Sequence, residues 1–245
     1  MLREFRCDLH VHTCLSPCAD LDMYPRALID KSIAARLDMI AICDHNASEN
    51  VPYVMKAAAH TALTVLPGME IASSEEVHLL ALFETLDGLR KIQEVVYSHL
   101  DGKNEEKAFG PQVVVNESDE VEGYNEKLLI GATSLSLREV LDAIHSLQGL
   151  AIASHIDRES FSVISQLGFI DPSMPFDALE VTAGLGIAAA RIRFPELASF
   201  PLLTASDAHF PDDIGKAVTV MHLERASFQE LRKALRREGG RRIGE

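Results

Sequence analysis

Histidine and carboxylate residues recur along this sequence in types and spacings that are typical of divalent metal ligands. The first example is the pair His10 and His12, which are separated by one residue. Alternate side chains of a strand point to the same face, so both imidazoles would face one ion. Imidazole nitrogens and carboxylate oxygens are common ligands of zinc, iron and manganese in proteins. The pair therefore predicts a metal site near the start of the chain.

Further candidate ligands lie at the ends of short apolar runs. They are Asp44-His45, Glu70, His78, His155, Asp207 and His209. A single His or Glu on an apolar strand is more often a structural or helix-capping residue, so none of them is decisive alone. Burying all of them at neighbouring strand ends without cations would leave many polar groups in need of partners. The combination favours a metal centre. The remaining histidines, which we interpret as structural, are His60, His99, His145 and His222.

The apolar runs alternate with amphipathic, helix-like segments. Predicted strands cover residues 5–12, 37–43, 63–71, 77–83, 150–154, 178–182, 201–206 and 217–223. Predicted helices cover residues 24–36, 51–62, 86–100, 137–147, 187–194 and 228–237. This alternation predicts an α/β fold with a parallel sheet or barrel, in which catalytic groups gather at the C-terminal strand ends.

We predict the domain organisation from the length of the chain and from one segment in which strands and helices stop alternating. A chain of 245 residues is compatible with a single barrel domain over 1–245. Residues from about 84 to 136 break the alternation, and we expect an insertion with hairpin-like parts that packs on the barrel. The basic segment after the last helix is predicted to be a frayed tail.

The net charge of −14 opposes tight binding to long nucleic acids, which depends on Lys and Arg neutralising phosphates. A small phosphorylated substrate is easier to reconcile with this charge. The chain shows neither a run of about 18 apolar residues nor a secretion signal, so we expect a cytoplasmic protein without membrane contact.

The four cysteines, Cys7, Cys14, Cys18 and Cys43, lie in the first fifth of the chain. This distribution is poorly suited to disulfides that staple a large domain and favours reduced thiols. Cys14 and Cys18 have a Cys-x3-Cys spacing, but no second cysteine pair would complete a structural zinc site.

Several segments together resemble the PHP (polymerase and histidinol phosphatase) family. They are DLHVHTCLSPCAD (8–20), ICDHN (42–46), PGMEI (67–71), EVHLLAL (76–82), ASH (153–155) and ASDAH (205–209). They occur in the family's order and span nearly the whole chain. The resemblance implies a stand-alone phosphoesterase with a distorted (β/α)7, TIM-like barrel. It also implies a trinuclear metal centre at the C-terminal mouth, containing zinc, manganese or iron.

The resemblance also implies the role of each candidate ligand. It assigns the first ion to His10, His12, Glu70 and Asp207, the second to Glu70, His78 and His155, and the third to Asp20, His45 and His209. Asp20 keeps the family's interval to Pro25, but the loop before it, TCLSPCA, is longer than usual. Asp22 is therefore the alternative ligand. We interpret Asp44 as a residue that orients a ligand or a metal-bound water.

Two neighbouring ions can activate a shared water as hydroxide for attack on phosphorus and neutralise the phosphoryl oxygens. The sequence thus predicts hydrolysis of a phosphomonoester or a nucleotide phosphate, with Asp207 or His209 as proton carriers. Arg158 is a candidate phosphate clamp, and its alternative is a surface ion pair with Asp157 or Glu159. Arg191 and Arg193 are weaker candidates for the clamp.

Two alternatives stay open at this point. One is a 5′-3′ exonuclease-type phosphodiesterase that acts on short single-stranded ends of RNA or DNA, which the acidity disfavours. The other is a non-catalytic, metal-binding regulatory module, which the nearly complete ligand set disfavours.

Overall fold

Strands and helices alternate along most of the chain in the computed structural model, which describes residues 1–244. The strands are β1 (Arg3–Val11), β2 (Met39–Ile42), β3 (Thr64–Ala72), β4 (His78–Leu82), β5 (Val113–Val115), β6 (Val121–Tyr124), β7 (Leu150–Ala153), β8 (Ala178–Val181), β9 (Leu202–Thr204), β10 (Thr219–Leu223) and β11 (Arg242–Ile243). The helices are α1 (Pro25–Ala34), α2 (Val51–Ala58), α3 (Leu86–His99), α4 (Glu106–Phe109), α5 (Leu137–Ser146), α6 (Val163–Leu167), α7 (Gly186–Arg193) and α8 (Phe228–Leu235).

A nine-stranded sheet with the order β11-β10-β1-β2-β3-β4-β7-β8-β9 forms the centre of the fold. It closes into a barrel because the segment after β9 returns to the end of β1. There the amide of His12 donates to the carbonyl of Ala208 (3.0 Å), and the amide of Ala208 donates to the carbonyl of His10 (3.3 Å). Strands β10 and β11 extend the sheet on the far side of β1, outside the barrel. The barrel wall therefore has seven strands, from β1 to β9 in the sheet order. The predicted α/β barrel fold is confirmed.

Strand β4 departs from the expected parallel arrangement. It pairs antiparallel with both β3 and β7, whereas β1, β2 and β3 are mutually parallel. The connection from β3 to β4 is short enough for the chain to turn back directly, without a crossover helix. The reversal brings His78, the first residue of β4, to the rim where the parallel strands end.

Side chains inside the barrel follow the alternation of the strands. Leu66 on β3, Leu80 and Leu82 on β4 and Ala178 on β8 belong to one inner apolar cluster, which also includes Leu231 of α8. Glu70 lies four residues after Leu66, His78 two residues before Leu80, and Glu180 two residues after Ala178, so each shares a strand face with its apolar neighbour. The period-two rule therefore places these polar residues in the barrel, above its apolar floor.

Strand β1 needs an irregularity to present its histidines. Phe5, Cys7 and Leu9 pack in the inner cluster, whereas Val11 packs in the outer one. The register between β1 and β2 shifts between Asp8 and Val11. Such an irregularity re-aims the side chains that follow it, and His10 and His12 thereby face the barrel interior.

The insertion contains α3, α4 and the β5–β6 hairpin. The amide of Val115 donates to Asn50 Oδ1 (2.9 Å), and Asn50 Nδ2 donates to the carbonyl of Val113 (3.0 Å). The amide of Val113 also donates to the carbonyl of Cys14 (3.2 Å). These bonds attach the hairpin to the loop after β1 and to the start of α2. That residues 1–245 form one domain stays a prediction.

The prediction of a frayed C-terminal tail is wrong. Strand β11 pairs with β10, with Ile243 opposite Met221. Arg241 Nε donates to Glu230 Oε2 at 2.9 Å, and Arg241 Nη2 lies 2.6 Å from Glu224 Oε2. The basic side chain therefore has carboxylate partners on α8 and after β10, and these contacts hold the segment in place. Within residues 1–244, no helix has the length and apolar character that crossing a membrane requires.

Candidate metal centre

The Glu70 carboxylate lies at the centre of the barrel mouth and is surrounded by imidazoles. Glu70 Oε1 lies 3.2 Å from His78 Nδ1, 3.4 Å from His155 Nε2 and 3.5 Å from His10 Nε2. Glu70 Oε2 lies 3.1 Å from His45 Nδ1 and 3.6 Å from His12 Nε2. All six residues are buried. The structure thus brings together side chains from five separate segments of the chain.

Asp207 faces the same space from the segment after β9. Its Oδ1 lies 3.1 Å from His12 Nε2 and 3.2 Å from His10 Nε2. These two imidazole nitrogens are themselves 3.1 Å apart. His209 completes this side, with Nδ1 donating to the carbonyl of Asp207 (2.8 Å).

Three groups of candidate ligand atoms lie mutually within 4.8 Å: His10, His12 and Glu70; His45, Glu70 and His78; and His12, His45 and His209. The first two groups share Glu70, and the second contains His45 where His155 was expected. The third group contains two of the residues expected at the third ion.

The carboxylate and the imidazoles of this cluster change one another's pKa. Burial opposes ionisation of Glu70, but the imidazoles of His78, His10 and His45 hold the pKa of its carboxyl well below its usual range. Burial likewise opposes a charged His45, but Glu70 raises the pKa of that imidazole to about 10. The carboxylates are therefore ionised at neutral pH, which is the form that binds cations.

Asp44 contacts the loop that follows His12 and does not itself face Glu70. Its Oδ1 accepts from the amide of Thr13 (2.7 Å) and from Ser16 Oγ (2.6 Å), and its Oδ2 accepts from Thr13 Oγ1 (2.7 Å). Ser16 Oγ also lies 2.9 Å from His12 Nδ1. Asp44 is thus one residue removed from the His12 imidazole, in a position to orient it through Ser16.

Glu180 is a buried partner of His10 that the sequence reasoning missed. Its Oε2 lies 3.0 Å from His10 Nδ1, and its Oε1 accepts from the amide of His155 (3.3 Å). A carboxylate on the far nitrogen of an imidazole fixes the tautomer and the ring orientation. The available signal was a lone Glu in the otherwise apolar strand ALEV.

The loop after His12 differs from the expectation for Asp20. Asp20 Oδ1 accepts from the amide of Asp22 (2.8 Å), and neither residue belongs to the three ligand groups found among residues 1–244. Desolvation opposes ionisation of the Cys18 thiol in this loop, but the nearby imidazoles of His209 and His45 lower its pKa to about 6. Cys14 faces away, with Sγ 3.8 Å from the carbonyl of Val113.

Arg158 reaches the cluster. Its Nη2 lies 2.6 Å from Asp207 Oδ2, and its side chain is 44% exposed. The surface pairing considered for Arg158 is wrong, because Asp157 accepts from the amide (2.8 Å) and hydroxyl (2.6 Å) of Thr182 instead. Arg191 donates to the carbonyls of Leu197 (3.2 Å) and Phe200 (2.9 Å), so its role is structural.

Comparison with known families matches two models to the chain. The PHP domain matches residues 8–165, and the PHP-associated family matches residues 192–238. The chain belongs to the PHP domain family. No curated protein matches the chain.

Solved structures show the same fold. The lesion-specific endonuclease PfuEndoQ from Pyrococcus furiosus superposes with a TM-score of 0.76 at 20% identity, covering 98% of this chain and 58% of that chain. Endonuclease Q in complex with a 27-mer duplex bearing an abasic lesion gives a TM-score of 0.74 at 19% identity, with the same coverage. A protein described as a metal-dependent phosphoesterase from Bifidobacterium adolescentis gives 0.60 at 19% identity, covering 94% of this chain and 96% of that chain. The PHP chain thus spans 58% of the length of the two endonuclease structures.

The side chains of this PHP protein fit divalent ions. Glu70 Oε1 is buried and lacks a hydrogen-bond partner among the described residues. An uncompensated carboxylate oxygen in a buried site is costly, and a cation removes that cost. The surrounding imidazoles and carboxylates are the donor set that zinc, manganese and iron accept.

Proposed function

We propose that this protein hydrolyses a small phosphate ester, either a phosphomonoester or a nucleotide phosphate, at a centre of two or three divalent ions. The observation that carries the proposal is the buried Glu70 carboxylate with five imidazoles facing it at one barrel mouth. His10, His12, Glu70 and Asp207 would hold one ion, and Glu70, His78 and His155 a second. His45 and His209 would contribute to a third. Zinc, manganese and iron suit these donors.

When bound, the ions supply Lewis acidity that activates a water and neutralises the phosphoryl oxygens. The chain's own residues position these parts. Glu180 orients His10, and Asp44 orients His12 through Ser16. His209 lies on the exposed side of the cluster, and Asp207 Oδ2 faces Arg158. We assign proton transfer from the attacking water and to the leaving oxygen to His209 or Asp207.

Arg158 is the proposed phosphate clamp. One nitrogen of its guanidinium holds Asp207 Oδ2, and the planar group offers further donors toward the open mouth. Arg158→Ala should chiefly raise KM for a phosphomonoester, while Arg193→Ala, a change at an exposed arginine, should leave KM unchanged. Metal content of both variants is measured in parallel. An unchanged KM in Arg158→Ala at full metal content would remove Arg158 from substrate binding.

A phosphodiester in nucleic acid is the second candidate substrate. The fold similarity to a lesion-specific endonuclease over 98% of this chain favours it, and the net charge of −14 opposes it. A cytoplasmic location fits either substrate and stays a proposal.

The test is hydrolysis by the metal-loaded protein of p-nitrophenyl phosphate, bis-p-nitrophenyl phosphate, a nucleoside 3′,5′-bisphosphate, single-stranded oligonucleotides and a duplex with an abasic site. Glu70→Gln protein serves as the control for contaminating phosphatases. We expect the monoester or the bisphosphate to be cleaved faster than any oligonucleotide. Preferential cleavage of the oligonucleotides would favour the second candidate, and inactivity on every substrate at full metal content would reject both.

A further inference from the structure

We propose that a cleft at the end of the barrel opposite the metal centre binds a small organic phosphate, such as a nucleoside diphosphate, through Arg237 and Arg242. The cleft lies between α7, the start of β9, the end of α8 and the C-terminal segment. It is separate from the metal centre, and binding there does not depend on the proposed function.

The cleft has a volume of about 540 Å³ and an apolar wall. Ile187 on α7, Leu202 on β9 and Ile243 on β11 form part of this wall. Leu202 is the first residue of β9, whereas Asp207 follows the end of that strand and faces the metal centre. The two sites therefore lie at opposite ends of β9. Small-molecule sites in proteins commonly measure roughly 300–1,000 Å³, so the cleft has the size of a ligand site.

The charged residues that line the cleft are all cationic. They are Arg191, Arg237, Arg241 and Arg242, and within residues 1–244 no acidic residue lines it. Like charges around one cleft repel one another, and an anion between them replaces this repulsion by attraction. The protein as a whole has the opposite character, since its net charge is −14. The cleft is therefore a local positive site on an acidic protein.

Two of the four arginines already have partners. Arg191 donates to backbone carbonyls that follow α7, and Arg241 Nε lies 2.9 Å from Glu230 Oε2. Arg237 and Arg242 are exposed, and in the described part of the chain neither side chain forms an ion pair or a hydrogen bond. These two guanidinium groups consequently have donors available for a ligand.

The backbone brings Arg237 to the cleft in a conformation that arginine rarely adopts. Arg237 follows α8 with a φ of 55°, and the usual residue in this left-handed conformation at a helix end is glycine. Gly239 and Gly240, with φ values of 57° and 78°, turn the chain back into β11, which carries Arg242. Burial and then the charge of Arg237 lower the pKa of Arg191, as expected for guanidinium groups that face one space.

The lining also indicates the class of ligand. Arginine binds phosphate oxygens through two parallel hydrogen bonds, which the ammonium group of lysine cannot form. The apolar wall suits a nucleobase or another apolar group next to the phosphates. A long nucleic acid is a poorer candidate, because the net charge of −14 opposes its binding. A small molecule that has both a phosphate and an apolar part fits the cleft.

The experiment is isothermal titration calorimetry of the intact, metal-loaded protein with adenosine 5′-(α,β-methylene)diphosphate, which has a phosphatase-resistant P–C–P link. We expect saturable binding that weakens about 10- to 100-fold in Arg237→Ala and in Arg242→Ala, because each variant loses charge-assisted hydrogen bonds. Arg193→Ala is the matched control, at an exposed arginine of α7 that does not line the cleft. It should bind the analogue as the unmodified protein does.

Titrations with methylenediphosphonate and with adenosine separate the two parts of the probe. Methylenediphosphonate should bind more weakly than the analogue, and adenosine should bind weakest. Adenosine that binds as tightly as the analogue would overturn the assignment to the arginines.

Absence of binding to the unmodified protein, or equal affinity in Arg237→Ala and Arg193→Ala, would also overturn the proposal. Binding that is lost in Glu70→Gln and kept in Arg237→Ala would place the analogue at the metal centre and overturn it as well. Far-ultraviolet circular dichroism and metal analysis verify that the arginine variants are folded and loaded. Binding of the analogue without hydrolysis of any phosphate ester would reject only the proposed function.

Discussion

The Glu70 carboxylate shows how far individual residues could be interpreted before the fold was known. The spacing of His10 and His12 predicted that both imidazoles would share a face, and both lie within 3.6 Å of Glu70. The role of Glu180 could not be deduced in the same way. It depends on which strand lies opposite His10 in the closed barrel, and that neighbour is 170 residues away in the chain.

Backbone conformation is a second feature that residue types do not disclose. His155 and Asp207 adopt positive φ values of 29° and 50°. Such conformations are unfavourable for residues other than glycine and persist where the surroundings hold them, often at functional sites. The Ser-His and Ser-Asp pairs in the sequence indicated His155 and Asp207 as candidate ligands. The directions in which their side chains point depend on these backbone conformations.

Glu180→Gln should weaken metal binding without unfolding the protein. An amide keeps the size of the side chain but removes the charge that fixes His10 Nδ1. Loss of such a supporting carboxylate typically lowers metal affinity about 10- to 100-fold. Zinc affinity is measured by competition with a chromophoric chelator, with exposed Glu196→Gln as the control. Equal affinity in the two variants would contradict a positioning role for Glu180.

At the scale of the elements, the pattern located most strands but not their directions. The predicted strand over 77–83 contains β4 (His78–Leu82). Its reversal depends on pairing with β3 and β7, and apolar content carries no information on that choice. The prediction of a frayed C-terminal tail was wrong for a related reason, because it took no account of pairing with other elements. Composition indicated a basic, polar segment, whereas its order comes from β10 and from carboxylates on other elements.

Gly68 on β3 allows close packing at the base of the metal centre. A Cβ at this position would lie 2.8 Å from the carbonyl oxygen of Ile42 and 2.9 Å from Cys43 Sγ. We expect Gly68→Ala to cost about 1–3 kcal/mol, as overpacked cores do. Each kcal/mol corresponds to about 2–4 °C in Tm for a chain of this size.

Thermal unfolding is the measurement for this variant, with Gly123→Ala as its control. A Cβ at Gly123 meets no atom within 4 Å. A Tm for Gly68→Ala equal to that of the control would show that β2 and β3 separate without cost.

The contact between the C-terminal segment and α8 should make stability depend on pH. The hydrogen bonds from Arg241 lower the pKa of Glu230 to about 2, against a partial opposing effect of burial, from an ordinary value of 4.5. A carboxyl with a depressed folded-state pKa stabilises the fold above its unfolded pKa, and this contribution is lost as pH falls toward the folded pKa. The relevant window is therefore from about pH 4.5 down to about pH 2.

Glu230→Gln is the variant that isolates this effect. Its free energy of unfolding in urea should lie below that of the unmodified protein at pH 6, and the difference should shrink at pH 3. Glu238→Gln, at an exposed position of the same segment, should show no such trend. A difference that stays constant between the two pH values would mean that the Arg241 contact does not depend on the Glu230 charge.

For the whole molecule, the barrel brings distant segments together around charged groups that need cations. Candidate ligands range from His10 to His209 in the sequence, and six of the residues at the mouth are nearly inaccessible to water. The net charge of −14 adds to the repulsion among the carboxylates in the absence of ions. Metal binding should therefore be linked to the stability of the entire barrel and not of one loop alone.

This linkage predicts that zinc raises the Tm of chelator-treated protein. A ligand that binds only the folded state at 100 times its Kd adds about 2.7 kcal/mol per site. Glu70→Gln should respond far less, because this carboxylate contacts residues of two ligand groups, whereas Glu196→Gln should respond like the unmodified protein. Differential scanning calorimetry with and without zinc measures the shift. If zinc stabilised Glu70→Gln as strongly as the control, the ions would not be bound through Glu70. The ligand assignment would then have to change from one shared carboxylate to separate metal sites around Asp207 and His78.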